Sequence, residues 1–136
     1  MLTVVLDSNV LISAFLTPRG ESDEVVRQAK GEILCLSPFI FTEISSNLRS
    51  LRLLKKYRYS SADLKKYVKS LYKASRVIEP KQLPMVCSDE DDNHVLACAI
   101  EAQAEYLVTR NTRHFPRNYA GVTVITPGEF LAILKA

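Results

Sequence analysis

Most signatures by which α/β enzymes announce their chemistry are missing from this sequence. No GxGxxG follows the first apolar run, which argues against a dinucleotide site, and no GxxxxGK[ST] marks a phosphate loop. GxSxG is absent, leaving no support for serine hydrolase chemistry. No Cys/His grouping has zinc-ligand spacing. The three cysteines, Cys35, Cys87 and Cys98, form no CxxC pair and are odd in number, so they read as buried free thiols of a reducing cytoplasm. No window reaches the ~18 uninterrupted apolar residues of a membrane span. The N-terminus shows no basic region followed by an apolar run and a cleavage site. A cytoplasmic chain with no membrane contact is the expectation.

What is present is apolar and unevenly charged. With 47% apolar residues in 136, the simplest reading is one domain, residues 1–136, burying roughly two thirds of its unfolded surface. The net charge of +3 conceals an asymmetry. Residues 49–76 carry ten Lys or Arg, among them Arg49, Arg52 and Lys56, against the single acid Asp63, and so hold +9 while the rest holds −6. A basic lobe beside an acidic remainder suits a polyanion at the first and cations at the second.

Along the chain, apolar runs at 2–6, 33–36, 76–79, 106–109 and 122–125 read as strands. Helical spacing starts at Ser8 and ends at Pro18-Arg19-Gly20, and a second helix fits 22–30. Ser37-Pro38 opens a helix in the favoured cap-then-proline order, continuing towards Tyr57 with the stripe Ile40, Ile44, Leu48 and Leu51. A further helix runs from Ser60 or Ser61 to about Ala74. Ser88, with Asp91 three residues on, fits a capping box for a helix over 89–103, and Pro127 begins a last one. Strands alternating with helices predict an α/β fold with a parallel sheet of about five strands, helices on both faces, and a helical hairpin over about 38–74 carrying the basic lobe.

The acids are the candidate chemistry. Asp7 ends strand one, and in open α/β sheets ligands bind beyond the carboxyl ends of the strands. Its bland alternative is a structural carboxylate bonded to helix N–H groups; Ser8 and Asn9 read first as capping residues. Asp89, Glu90, Asp91 and Asp92 fill one helical first turn, where negative charge is favourable at about 0.3–1 kcal/mol each. At about 100° per residue, Asp92 points with Val95, Leu96 and Ala99 to the inward face, and Asp89 lies on the same side. Glu43 sits at the edge of an apolar stripe, where a Glu is usually solvated. Thr109, Arg110, Asn111 and Arg113 follow the strand over 106–109, on the same sheet edge as Asp7; His114 has no reason from pattern to join them. Carboxylates gathered there cannot all stay ionised without cations. All-oxygen ligands suit Mg²⁺ or Mn²⁺, one or two ions, which in phosphodiester cleavage would activate a water and stabilise the leaving oxygen. The basic lobe would then meet a nucleic-acid backbone.

The blocks Val5-Leu6-Asp7-Ser8-Asn9-Val10-Leu11-Ile12-Ser13, Ser37-Pro38 with Glu43 following, Asp89-Glu90-Asp91-Asp92-Asn93, and Leu107-Val108-Thr109-Arg110-Asn111-Thr112-Arg113-His114-Phe115 together resemble PIN domains, the metal-dependent ribonuclease fold of VapC-like toxins. The resemblance covers essentially the whole chain and implies a three-layer α/β/α architecture. It implies that Asp7, Glu43 and Asp92 are catalytic and hold the metal, with Asp89 as an accessory ligand. Asn111 stands where the family often has a fourth acid, which implies a less negative site. Thr109 and Ser8 would hydrogen-bond a ligand water or a carboxylate, and Arg110, Arg113, Arg49, Arg52 and Lys56 would contact RNA phosphates. An antitoxin partner and a homodimer are further implications. The rival classes are a PIN-fold binding module without turnover, for which Asn111 is the hint, and a structure-specific DNA nuclease, for which no helical arch or clamp is visible.

Overall fold

The computed structural model describes residues 1–136. Its centre is β1 (Thr3–Leu6), an apolar tetrapeptide whose last three residues are fully buried. That burial needs strands on both sides and helices above and below. β2 (Ile33–Leu36) and β4 (Tyr106–Val108) flank it in parallel, with Val5 opposite Cys35 on one side and Leu107 on the other. β3 (Ser75–Val77) pairs parallel to β2, and β6 (Val122–Ile125) parallel to β4. The order is β3-β2-β1-β4-β6-β5.

β5 (Asn118–Tyr119) is a sixth strand that sequence patterning does not show, because two residues carry no periodicity. It runs antiparallel to β6. The intervening Ala120 and Gly121 both have positive φ, 50° and 83°, the geometry of a tight hairpin turn, which glycine adopts without strain.

α1 (Ser8–Leu16), α2 (Glu21–Ala29) and α7 (Pro127–Lys135) pack in series, α1 also meeting α3 (Pro38–Leu48). α6 (Glu90–Glu101) lies on β1, β2 and β4 and buries Val95 through Ala99, as its all-round apolar body predicts. The result is the three-layer α/β/α arrangement, with a core of 29 residues spanning the sheet and the inner helix faces.

The predicted hairpin over 38–74 holds three helices rather than two. The run from Pro38 breaks after Leu48, α4 (Leu51–Tyr57) follows, and α5 (Ser61–Ala74) closes the lobe. No glycine or proline marks the break. Instead the Tyr59 hydroxyl donates to the Leu48 carbonyl, a group that a continuous helix would have used itself. Leu51, expected on the apolar stripe, is consequently 73% exposed. α4 ends on Arg58 in the left-handed region, φ 55°. At α5, expected to start at Ser60 or Ser61, a capping box forms: Ser60 Oγ accepts from Asp63 N–H, and Asp63 accepts from Ser60 N–H.

Candidate metal centre

The carboxyl ends of β1 and β4 lie side by side, and the first residues beyond them build the site. Asp7 follows Leu6 as the N-cap residue of α1. Its carbonyl accepts from Val10 and Leu11, while its side chain forms no cap bond and turns to other partners. Thr109, wholly buried one residue beyond β4, donates from Oγ1 to Asp7 Oδ2 at 2.8 Å. The same hydroxyl accepts from Asn9 Nδ2 at 3.3 Å and from the Asn111 amide at 3.1 Å. Asn9 Oδ1 in turn accepts from the Arg110 amide at 3.3 Å. One hydroxyl therefore joins β1, α1 and the loop that carries Arg110 and Asn111.

Glu43 reaches the site from the second turn of α3. Ser8 Oγ lies 2.8 Å from Glu43 Oε1 and 3.4 Å from Asp7 Oδ1. A hydroxyl has one proton, and the shorter contact places it mainly on Glu43. Asp92 comes from the first turn of α6 with its side chain 16% exposed, facing inward as the helical geometry predicts. The cap of α6 is Asp89, not Ser88: Asp89 Oδ1 accepts from the Asp91 amide at 2.9 Å. The capping box expected from Ser88 and Asp91 does not form; the cap falls one residue later, and one oxygen of Asp89 serves the helix.

The electrostatics join these groups. Burial holds the Asp7 carboxyl above its usual range, opposed by hydrogen bonding from Thr109 and Ser8. Glu43 is raised by burial first, with the charges of Asp7, Asp91 and Asp92 adding to it against the Ser8 hydrogen bond. Asp92 is raised to about 6 by burial and by Asp7 and Asp89, with His114 partly offsetting. Asp92 Oδ2 is buried and has no hydrogen-bond partner. His114 Nδ1 stands 3.4 Å from it as a charge partner rather than a bonded one.

That orphaned oxygen, among mutually repelling carboxylates, is the observation against which a divalent ion is tested. No three Asp, Glu, His or Cys side chains gather closely enough to ligate one ion directly. The all-oxygen donor set still fits Mg²⁺ or Mn²⁺, since Mg²⁺ commonly takes only one or two carboxylates and keeps several waters.

Two grooves flank the carboxylates. One, about 410 Å³, is lined by Val86, Asp89, Asp92, Arg113 and His114. The other, also about 410 Å³, lies on the far side of Asp7 and is lined by Asn9, Ile12, Leu16, Tyr57 and Arg110. The wall of the first is pinned from inside. Buried Asn93 accepts from the Val86 and Cys87 amides and donates to the Cys87 carbonyl, fixing the loop over 80–87 against α6.

Of the residues expected at the site, Asp7, Ser8, Asn9, Glu43 and Thr109 are linked by hydrogen bonds, and Asp92 joins them electrostatically. Asn111 contributes its backbone amide to the network, while its side chain is exposed and uncharged. Arg110 and Arg113 line opposite grooves. Arg49 instead faces a separate cleft of about 390 Å³ with Lys65 and Lys69, Lys56 sits beside Tyr57, and Arg52 is on the open surface. His114 was not expected. Its approach depends on the loop after β4 folding back onto the start of α6, and the only sequence signal is its adjacency to the polar loop.

Removing the Thr109 hydroxyl tests the junction. Thr109→Val is nearly isosteric and leaves Asp7 Oδ2 without its donor. It should destabilise the fold by about 1–3 kcal/mol in chemical denaturation at neutral pH. An unchanged midpoint would mean that the hydroxyl does not hold the ionised carboxylate.

The comparisons with known proteins follow this geometry. A family model described as PIN domain matches residues 3–113. The chain is 29% identical to Uncharacterized protein MJ1680 of Methanocaldococcus jannaschii, over 94% of this chain and 88% of that protein. The crystal structure of VapBC2 from Rickettsia felis, bound to a DNA fragment from their promoter, superposes with a TM-score of 0.65. It covers 92% of this chain and 98% of that one at 12% identity, so the likeness is one of fold. The family match runs from the first residue of β1 through the loop after β4 and takes in Asp7, Glu43, Asp89, Asp92 and Asn111: this chain belongs to the PIN domain family.

Proposed function

We propose that residues 1–136 act as one nuclease domain, a Mg²⁺- or Mn²⁺-dependent endoribonuclease serving as the toxin of a toxin–antitoxin pair. PIN domains are usually nucleases and generally use divalent metal ions. The observation that carries the reading here is the orphaned Asp92 Oδ2 facing a cluster in which Asp7, Glu43 and Asp92 all hold protons more tightly than usual. His114 offsets the charge of such a cluster only in part, and a bound cation would relieve it further.

Asp7 and Asp92 would hold the ion, with Glu43 and Asp89 reaching it directly or through water. When bound, the ion would supply polarisation of the attacking water and neutralisation of charge on the leaving oxygen. Glu43 is oriented by Ser8 through Oε1, and its raised proton affinity suits it to take a proton from that water at its other oxygen. Arg110 and Arg113, one in each flanking groove, would hold phosphates on either side of the scissile bond. The basic faces of α4 and α5, with Arg49 just past the end of α3, would extend the contact to more distant phosphates. A homodimer and an antitoxin covering the acidic groove complete the proposal; the Rickettsia felis structure supports the second by analogy of fold.

Metal removal tests it. Purified chain incubated with total RNA and Mn²⁺ should cut it, and excess EDTA should stop the cutting. Cleavage that persists in EDTA would overturn the metal-dependent reading. A chain that binds Mn²⁺ yet cuts nothing would instead be the binding module for which the uncharged Asn111 argues.

A further inference from the structure

The groove on the Arg110 side has a chemistry that the carboxylates do not explain. Its neighbour, a hollow of about 510 Å³ between α1 and α5, shares Leu16 and Tyr57 with it, so the two form one trough leading away from Asp7. Three tyrosines border that trough, and two are fully engaged. Tyr59 and Tyr67 pack on Phe15 with centroids 4.8 and 4.9 Å apart. Their hydroxyls donate to the carbonyls of Leu48 and Leu11, the second at 2.6 Å. Tyr57 has neither an aromatic partner nor a hydroxyl acceptor and is 39% exposed, at the end of α4 where both hollows meet. Two cations are near it: Lys56 Nζ lies 5.4 Å from its ring centroid, and Arg110 lines the same groove. The groove is also mechanically coupled to the site, since Asn9 holds the Arg110 amide and the Thr109 hydroxyl, and Thr109 holds Asp7.

A partly exposed aromatic ring without an aromatic partner, sharing its groove with an arginine and lying near a lysine, matches a nucleotide: base on ring, phosphates on cations. We infer that this groove is a subsite for one unpaired nucleotide next to the scissile phosphate, with its base stacked on Tyr57 and its phosphate held by Arg110. The inference rests on the ribonuclease reading and sharpens it, because a base inside a duplex cannot leave its stack for Tyr57 without cost.

The test uses the full chain carrying Asp92→Asn to prevent turnover, with a fluorescein-labelled single-stranded oligoribonucleotide and a blunt RNA duplex of equal charge. Tyr57→Leu keeps apolar bulk but removes the ring, and should weaken single-strand binding about tenfold while leaving duplex binding unchanged. Tyr57→Phe should bind as the Tyr57 form does. Tyr119→Leu controls for loss of an exposed tyrosine, since Tyr119 pairs with Val122 at the opposite end of the sheet. Thermal melts confirm that each variant folds, and Tyr57→Phe serves if Tyr57→Leu does not: a Phe variant binding about tenfold more weakly would then exclude stacking. Equal single-strand affinity for folded Tyr57→Leu would overturn the subsite alone. If the chain with Tyr57 intact neither binds RNA nor, with Asp92 restored, cuts it, the ribonuclease reading falls and the subsite with it.

Discussion

Asp92→Asn should abolish RNA cleavage, by about 10²–10³-fold or more, and at the same time raise the melting temperature of the metal-free protein. The second effect follows from the sign of its titration. In the folded chain Asp92 is pushed up to about 6 by burial and by the neighbouring carboxylates, against an ordinary value of 3.8. The folded state therefore binds this proton more tightly than the unfolded chain does. The ionised group costs stability, fully above pH 6, and the cost disappears as the pH falls from there towards 4. Allowing for solvent screening at a partly open site, the gain from Asn at pH 7.5 is about 1–2 kcal/mol, or a few degrees in Tm. At pH 4 it should vanish. Asp7→Asn should act in the same direction, since its carboxyl is also held above the usual range by burial. Mn²⁺ at a thousandfold excess over its Kd would stabilise the unaltered chain by about 4 kcal/mol, and should do much less for either Asn variant. Differential scanning calorimetry at the two pH values, with and without Mn²⁺, reads all of this. A lower Tm for Asp92→Asn at pH 7.5, or an equal Mn²⁺ response, would remove Asp92 from the metal centre.

Reversing charge on the lobe should have the other large effect. None of the ten basic residues between 49 and 76 takes part in an ion pair, although Lys30, Arg27 and Arg117 elsewhere all have polar partners. Their field is uncompensated and available to a polyanion. Arg49→Glu, Arg52→Glu and Lys56→Glu combined should weaken single-stranded RNA binding about a hundredfold at low salt, and flatten the dependence of log affinity on log salt by about 2. Because none of the three lines the grooves beside the carboxylates, the effect should fall mainly on KM rather than on kcat. Unchanged affinity and salt slope would assign the lobe to a protein partner instead.

The architecture was readable because its elements announce themselves locally. The short apolar strands, the Ser37-Pro38 opening and the helix start at Ser60 or Ser61 need no tertiary information, and Asp92 declares its direction through its phase with Val95 and Ala99. Other features are decided by distant partners. Glu43 looks like a solvated edge residue until Ser8, 35 positions earlier, is brought within 2.8 Å of it; only the family resemblance anticipated that. The break between α3 and α4 is invisible locally: no glycine or proline marks it, and the Leu48 carbonyl is taken up by the hydroxyl of Tyr59, eleven residues on. The one-residue shift of the α6 cap from Ser88 to Asp89 reflects a competition between two good capping residues, which chain direction settles. His114 meets Asp92 only through the return of a loop.

The amide of Asn93 has a consequence for recognition. Met85 and Val86 are 78% and 45% exposed, apolar residues on a loop that could otherwise sample many shapes. Three hydrogen bonds to one buried side chain fix the backbone beneath them. The entropy of ordering that wall is consequently lost when the protein folds, not when a strand enters the groove, so contacts made there contribute to affinity with little deduction for rigidifying their own support. The groove beside Asp92 is in this respect a preorganised mould along its Val86 wall.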